Sequence, residues 1–257
     1  MKRILLPIDF SEAAANTLKF AHQLAIDKGM ELSLLYCYPR EEYNRKYDFP
    51  DTDYDEGIRI MLSDFYHKNI IDQKGAPQFL AKAGPVLEQV IQLSINYQLI
   101  LLNYKKSGSS INRWFGGRST AIASLAFCPV VMVPISAKYS SWDCIWHIKR
   151  KDNEDKIIDP WIKKLAINPL AIQPKFLEQQ TFISLIWKSM VAYIKKPQET
   201  IRQTIIEAAP SQEINLILLV SHQKDSFQRF IQNEAIQILF EFGIPVMIFQ
   251  AKTSDLD

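Results

Sequence analysis

Leu99-Ile100-Leu101-Leu102 leads through a polar loop and a helix-like stretch to Pro129-Val130-Val131-Met132, and Leu216-Ile217-Leu218-Leu219 leads the same way to Pro245-Val246-Met247-Ile248. The two copies stand 117 residues apart, counted from Leu99 to Leu216. That period is too long for a solenoid unit and suits two domains of one fold. Each copy places two fully apolar strands around a helix, the pattern of a parallel sheet buried on both faces. Upstream, Lys82-Ala83-Gly84-Pro85 before the helical run Val86 to Ile95 corresponds more weakly to Ile194-Lys195-Lys196-Pro197 before Thr200 to Ala208. Both place a proline at a helix start. The chain reads as a tandem duplication, with domains at 1–138 and 139–257.

From this repeat the first half can be read outward. Arg3 to Ile8 is a buried strand that turns through Asp9-Phe10-Ser11 into a helix capped by Ser11. Ala14, Leu18, Ala21 and Ala25 recur at helical spacing, and Gly29 closes the helix. Glu31 to Tyr38 is a second strand. An acidic, tyrosine-bearing loop follows from Pro39 to Gly57, then a helix from about Ile58 to Gln73, with further strands at Phe79–Ala83, Leu99–Asn103 and Pro129–Pro134. Alternating strands and helices with two-sided burial predict an α/β fold, doubly wound around a parallel sheet. In the second half the first strand is expected at Asp143–Ile148. Pro160, Pro169 and Pro174 are expected to break any long helix between residues 153 and 188.

Composition excludes several classes. The chain has 257 residues, 47% of them hydrophobic, and a net charge of +2, so it fills two modest cores and offers no basic half for nucleic acid. The longest apolar run, Leu125 to Ile135, is too short to span a bilayer and contains two prolines. The N-terminus enters a strand directly, so the expected location is the cytoplasm. Cys37, Cys128 and Cys144 show no paired spacing, which supports neither a disulfide framework nor a zinc site. His22, His67, His147 and His222 stand isolated, and no HExxH, GxSxG or GxxxxGK[ST] motif occurs.

Three landmarks resemble the universal stress protein family: Ile4-Leu5-Leu6-Pro7-Ile8-Asp9-Phe10-Ser11, then Gly84-Pro85, then Cys128-Pro129-Val130-Val131-Met132-Val133-Pro134. They follow the family's order and spacing across residues 1–135. The resemblance implies Rossmann-like domains of the adenine-nucleotide alpha-hydrolase-like type, paired through their last strands as a pseudo-dimer within one chain. From Val191 to Phe249 the second half resembles a degenerate copy and lacks the Pro-x-Asp signature on its first strand.

In nucleotide-binding members of this family, an Asp after the first strand contacts adenosine and a loop Gly-x-x-Gly-x(9)-Gly-(Ser/Thr) wraps the phosphates. Glycines there let backbone N–H groups approach the oxyanions, and the following helix start favours their charge. The resemblance assigns Pro7 and Asp9 to the first part and Cys37 to the adenine side of the second strand. Family spacing places Asn103 at the first glycine, Lys106 at the second, Gly116 at the third and Gly117 at the hydroxyl position. Two of three glycines are replaced, which argues against ATP in the usual geometry and leaves no cofactor expected. Lys105, Lys106, Arg113 and Arg118 around Ser107-Gly108-Ser109-Ser110 form a cationic loop, read either as an altered anion site or as a solvated surface. Asp9 likewise reads either as a ligand contact or as a turn-forming residue that accepts local backbone bonds.

In the second copy, Val220-Ser221-His222-Gln223 through Gln232-Asn233 contains no glycine. The sequence therefore supports a non-enzymatic, stress-associated or regulatory binding protein with a degenerate nucleotide site in its first domain. The competing readings are an ATP-binding switch or weak nucleotide hydrolase, and an interaction scaffold using Trp142, Trp146, Trp161 and Trp187 as anchors. Expected partners are the chain's own two halves, a further copy in a homodimer and a protein the sequence does not identify; neither nucleic acid nor membrane is among them.

Overall fold

The computed structural model describes residues 2–39, 51–72, 74–104, 117–149, 152–176, 214–221 and 243–251. In chain order the elements are β1 Arg3–Pro7, α1 Glu12–Lys28, β2 Glu31–Tyr38, α2 Asp51–Asn69, β3 Gln78–Ala83, α3 Val86–Ser94, β4 Leu99–Tyr104, α4 Gly117–Leu125 and β5 Val130–Pro134. The second half contributes β6 Ile145–Lys149, α5 Asp155–Leu165, β7 Ile172–Phe176, β8 Leu216–Ser221 and β9 Val246–Gln250.

The nine strands among the described residues form one sheet in the order β3-β2-β1-β4-β5-β9-β8-β6-β7. Every neighbouring pair is parallel except β5 and β9, which run antiparallel. The register at that junction follows the sequence repeat. Val131 faces Met247, its repeat partner, while Val130 faces Ile248 and Met132 faces Val246. A pseudo-two-fold axis normal to the sheet therefore passes through the Val131–Met247 pair. Both strands are apolar because the sheet is continuous there: Val130, Val131, Val246 and Met247 are all 0% exposed. Paired to each other, they leave no open edge at the junction for another chain.

Two apolar layers sandwich the sheet. α1 and α2 cover one face, where Leu18, Leu24, Leu62 and Tyr66 meet Ile4, Leu6 and Leu34; α5 adds Ile157, Ile158 and Ile162 to the same layer. On the other face, Val90 of α3 and Ile122 and Ala123 of α4 meet Leu5, Ile100, Val130 and Met132. The alternating strand residues divide between these layers, as two-sided burial requires.

Three details differ from the sequence reading. α2 starts at Asp51, seven residues before the expected Ile58. α5 runs through Pro160 instead of ending there. The proline is exposed, and the buried stripe Ile157, Ile158, Ile162 and Leu165 holds the helix on the sheet despite the lost backbone bond. Pro174 sits in β7, whose only neighbour among the described residues is β6, a position where a missing N–H is tolerated. The expected strand at Asp143–Ile148 is found at Ile145–Lys149. The upstream repeat correspondence at 194–208 lies outside the described residues.

Candidate functional site

At the C-terminal ends of β1 and β4 the chain changes direction across the sheet, with β2 on one side of β1 and β4 on the other. In open α/β sheets ligands bind in the crevice at such a switch point. Continuing the register in which Leu5 faces Ile100 places Asn103 level with Ile8, one residue before Asp9. Pro7 ends β1 opposite Leu35, and the ladder is completed by Ile8 N–H donating to Leu35 O at 2.8 Å.

Asp9 is engaged locally. Its Oδ1 accepts from Ser11 N–H at 3.1 Å and from the Ser11 hydroxyl at 2.6 Å. The oriented Ser11 Oγ in turn accepts from Ala14 N–H at 3.1 Å, capping α1. Phe10 between them holds φ of 57°, unusual for a side chain of that size. Its ring lies 5.0 Å from that of Tyr36 and 5.4 Å from that of Phe65, and this packing fixes the turn. Of the two sequence readings of Asp9, the turn-forming role is visible, and the carboxylate remains exposed at the crevice.

Asn103 is half-buried near the end of β4, opposite Val133. Cys37 faces Lys82 across β2–β3, and burial pushes its thiol up to about 11, against the pull of the Lys82 charge. Lys106 and Gly116, with Lys105, Ser107 to Ser110 and Arg113, lie outside the described residues. Gly117 opens α4, two residues before the cap expected near Ser119. The structure thus places Pro7, Asp9 and Asn103 at the neighbouring C-terminal ends of β1 and β4. Cys37 stands on the far side of β1 from β4, toward β3.

In the second half, the matching registers Ile4–Leu99 and Ile145–Leu216 align β6 with β1. Ile148 then stands for Pro7, and the sequence position equivalent to Asp9 is Arg150. Val220 stands for Asn103, and His222 lies outside the described residues. What sequence reasoning missed is one position further down: His147 replaces Leu6 in the buried face of the strand. Its side chain is 2% exposed, with Nε2 3.5 Å from Oε2 of the fully buried Glu154 and Nδ1 3.4 Å from Oδ1 of half-exposed Asp155. Lys149 pairs with the other oxygen of Asp155. A short 3-10 turn at Asp152–Glu154 carries Glu154 back under the helix start. The available signal was a charged run, Asp152 to Lys156, soon after a strand containing a lone histidine.

Trp142 and Trp146 are 2% and 8% exposed, so two of the four proposed anchors belong to the core, and half-buried Trp161 packs against it. Trp187 lies outside the described residues. The three cysteines are free, with the Cys128 thiol pushed up to about 12 by burial. Among the described residues no cluster of His, Cys, Asp or Glu is arranged to hold a metal, and no helix is long and apolar enough to cross a membrane.

Residues 1–64 match the model of the universal stress protein family. No curated protein matches the chain by sequence. The structure is similar to that of a universal stress protein from Archaeoglobus fulgidus DSM 4304, with a TM-score of 0.59 at 13% identity, covering 96% of this chain and 98% of that one. It is also similar to a functionally unknown protein, PA1789, from Pseudomonas aeruginosa PAO1, with a TM-score of 0.51 at 12% identity, covering 97% and 92%. A putative universal stress protein from P. aeruginosa UCBPP-PA14 gives a TM-score of 0.51 at 13% identity, covering 97% and 93%. The first 64 residues thus match the universal stress protein family model, and the fold over nearly the whole chain is similar to that of a solved universal stress protein.

Proposed function

We propose that the chain is a stress-associated regulatory binding protein, not an enzyme, whose first half keeps the outline of a nucleotide crevice without its phosphate cradle. The observation that carries this reading is the crevice itself. Asp9 Oδ1 is occupied by Ser11, and a half-buried asparagine side chain stands where the family's first phosphate-loop glycine belongs. A side chain there takes the space that a phosphate needs to reach backbone N–H groups. The second half supports the same reading, since its matching positions hold Ile148, Arg150 and Val220. Its role is to hold the first half in a dimer-like sheet through β9.

Native mass spectrometry of the protein purified without added nucleotide tests this. The expected spectrum shows the bare chain mass; a stoichiometric adenine nucleotide would overturn the reading. A nucleotide-binding switch is the alternative, favoured by the exposed Asp9 carboxylate, whose Oδ2 makes no hydrogen bond among the described residues.

A further inference from the structure

The pseudo-two-fold axis through Val131 and Met247 makes the two ends of the β5–β9 junction comparable residue by residue. At one end, the chain leaving β5 crosses α1. Asn16 Nδ2 donates to Ala137 O at 3.1 Å and to Pro134 O at 3.4 Å. The rings of Phe20 and Tyr139 meet edge to face, 5.3 Å apart. Ser136 closes against Gly243, where an added Cβ would stand 3.0 Å from its Oγ. Ala137 is thereby buried in the apolar layer beneath α1.

At the other end, the corresponding place is a cavity of about 180 Å³. The buried α1 residues Thr17, Leu18, His22 and Ala25 are matched by Ile157, Ile158, Ile162 and Leu165 of α5. That match puts Lys156 at the position of Asn16 and Pro160 at that of Phe20. Across the axis, Gln250 takes the position of Pro134 and Phe127 that of Gly243. Lys156, Pro160, Gln250 and Phe127 all line the cavity, with Trp161 beside them. A donor side chain is kept at the key position: an asparagine amide in one half, a lysine ammonium in the other. The chain leaves the sheet at this spot, since Ala251 N–H still donates to Ser221 O at 2.9 Å.

Charge on α5 selects what fits here. Lys163 and Lys164 stand in its last turn, and Lys164 lies 4.4 Å from the centre of the Trp161 ring. With Lys156 they make three cations, against Asp159 and an Asp155 that Lys149 and His147 already engage. An acidic segment is favoured. Residues 252–257, which lie outside the described residues, read Lys-Thr-Ser-Asp-Leu-Asp.

We propose that this cavity is a docking site for the chain's own residues 252–257, the counterpart of the contact that residues 135–139 make on α1. Lys252 stands for Ser136, against Phe127; Thr253 stands for Ala137, its carbonyl accepting from Lys156; Asp255 stands for Tyr139, over Pro160 and toward Lys163 and Lys164. The docked segment ties α5 to the entry of β5, so each half of the sheet is fastened to the other by the chain that leaves its last strand.

Nuclear Overhauser measurements on the labelled full-length protein test this without any substitution. The expected result is contacts from the Thr253 methyl to the Trp161 indole and the Pro160 ring. Lys156→Cys with Thr253→Cys, in a chain whose Cys37, Cys128 and Cys144 are changed to Ser, should also form an intrachain disulfide under mild oxidation. It should form about tenfold or more faster than the control Lys163→Cys with Thr253→Cys, whose helix position lies two turns, about 10 Å, farther along and outside disulfide reach. If the cysteine variants do not fold, the wild-type contacts decide. The proposal is overturned if Thr253 shows no contact with α5, if both cysteine pairs oxidise at the same rate, or if the Lys156→Cys link forms between chains, which would give the cavity to a second copy.

Discussion

Replacing Glu154 with Gln should measurably destabilise the second half. The carboxylate is 0% exposed and His147 only 2%, with 3.5 Å between Oε2 and Nε2, so neither group has bulk water to fall back on. Exchanging the carboxylate for an amide puts a new buried N–H₂ group beside the imidazole, and a buried polar group left unsatisfied costs about 1–3 kcal/mol. That is a measurable share of the roughly 5–15 kcal/mol by which domains are stable. The repeat supplies the control: β1 holds Leu6 at the His147 position, 0% exposed and packed in the same apolar layer. His147→Leu combined with Glu154→Leu should therefore recover most of the loss, because replacing both members of a buried polar pair by apolar groups of similar shape can be nearly neutral. Urea unfolding followed by tryptophan fluorescence reads both, since Trp142 and Trp146 are buried in this region. A coupling energy of about 2 kcal/mol or more is expected from the double-mutant cycle. A Glu154→Gln cost within about 0.5 kcal/mol, the range of ordinary surface changes, would refute the argument. So would a double variant no more stable than the sum of the singles.

Three further outcomes follow from the geometry. Cysteines placed at Val131 and Met247, with Cys37, Cys128 and Cys144 changed to Ser, should form an intrachain disulfide under mild oxidation, because the two positions face each other across the pseudo-axis; reduced, monomeric protein after oxidation would contradict the pairing. Gly243→Ala should destabilise by about 1 kcal/mol or more, since φ is 74° and the new Cβ would meet Ser136 Oγ at 3.0 Å; an unchanged urea midpoint would argue against that contact. Tyr139→Phe should raise the Asp27 pKa, which the Tyr139 hydroxyl holds down at 2.5 Å with help from Lys28. A depressed carboxylate stabilises above its unfolded pKa of about 3.9 and loses that contribution as pH falls through its folded value. The stability gap between wild type and Tyr139→Phe should thus be constant near neutrality and shrink below about pH 4; a gap that widens in acid would reverse the sign.

Much of the architecture was readable because it is written in long-range apolar patterning. The strands Leu99 to Leu102 and Leu216 to Leu219 are buried on both faces, so their sequences show it without reference to partners. The antiparallel β5–β9 junction followed from the need to cover two apolar last strands. Boundaries were less legible where packing overrides local preference. Pro160 reads as a break, yet Ile157, Ile158 and Ile162 hold α5 across it; Asp51 to Asp53 read as loop because Asp and Thr have low helix propensity. Of the residues that family spacing pointed to, Pro7 and Asn103 lie near strand ends and Asp9 in the turn after β1, positions that the strand pattern alone makes readable. The His147–Glu154 pair was not legible, because a single turn of backbone decides whether Glu154 faces water or folds under the helix. The cavity beside Trp161 depends on α5 meeting the entry of β5, a contact that no local motif encodes.

The degenerate crevice is the centre of this account, and isothermal titration of the full-length chain with Mg-ATP tests it most directly. The resemblance puts Asn103 and Lys106 at the sequence positions of two phosphate-loop glycines, so the result expected from the proposal is no measurable heat of binding at micromolar protein. A dissociation constant near 1 μM, about −8.2 kcal/mol, that is lost in Asp9→Ala would contradict the account and place a working nucleotide site at the end of β1.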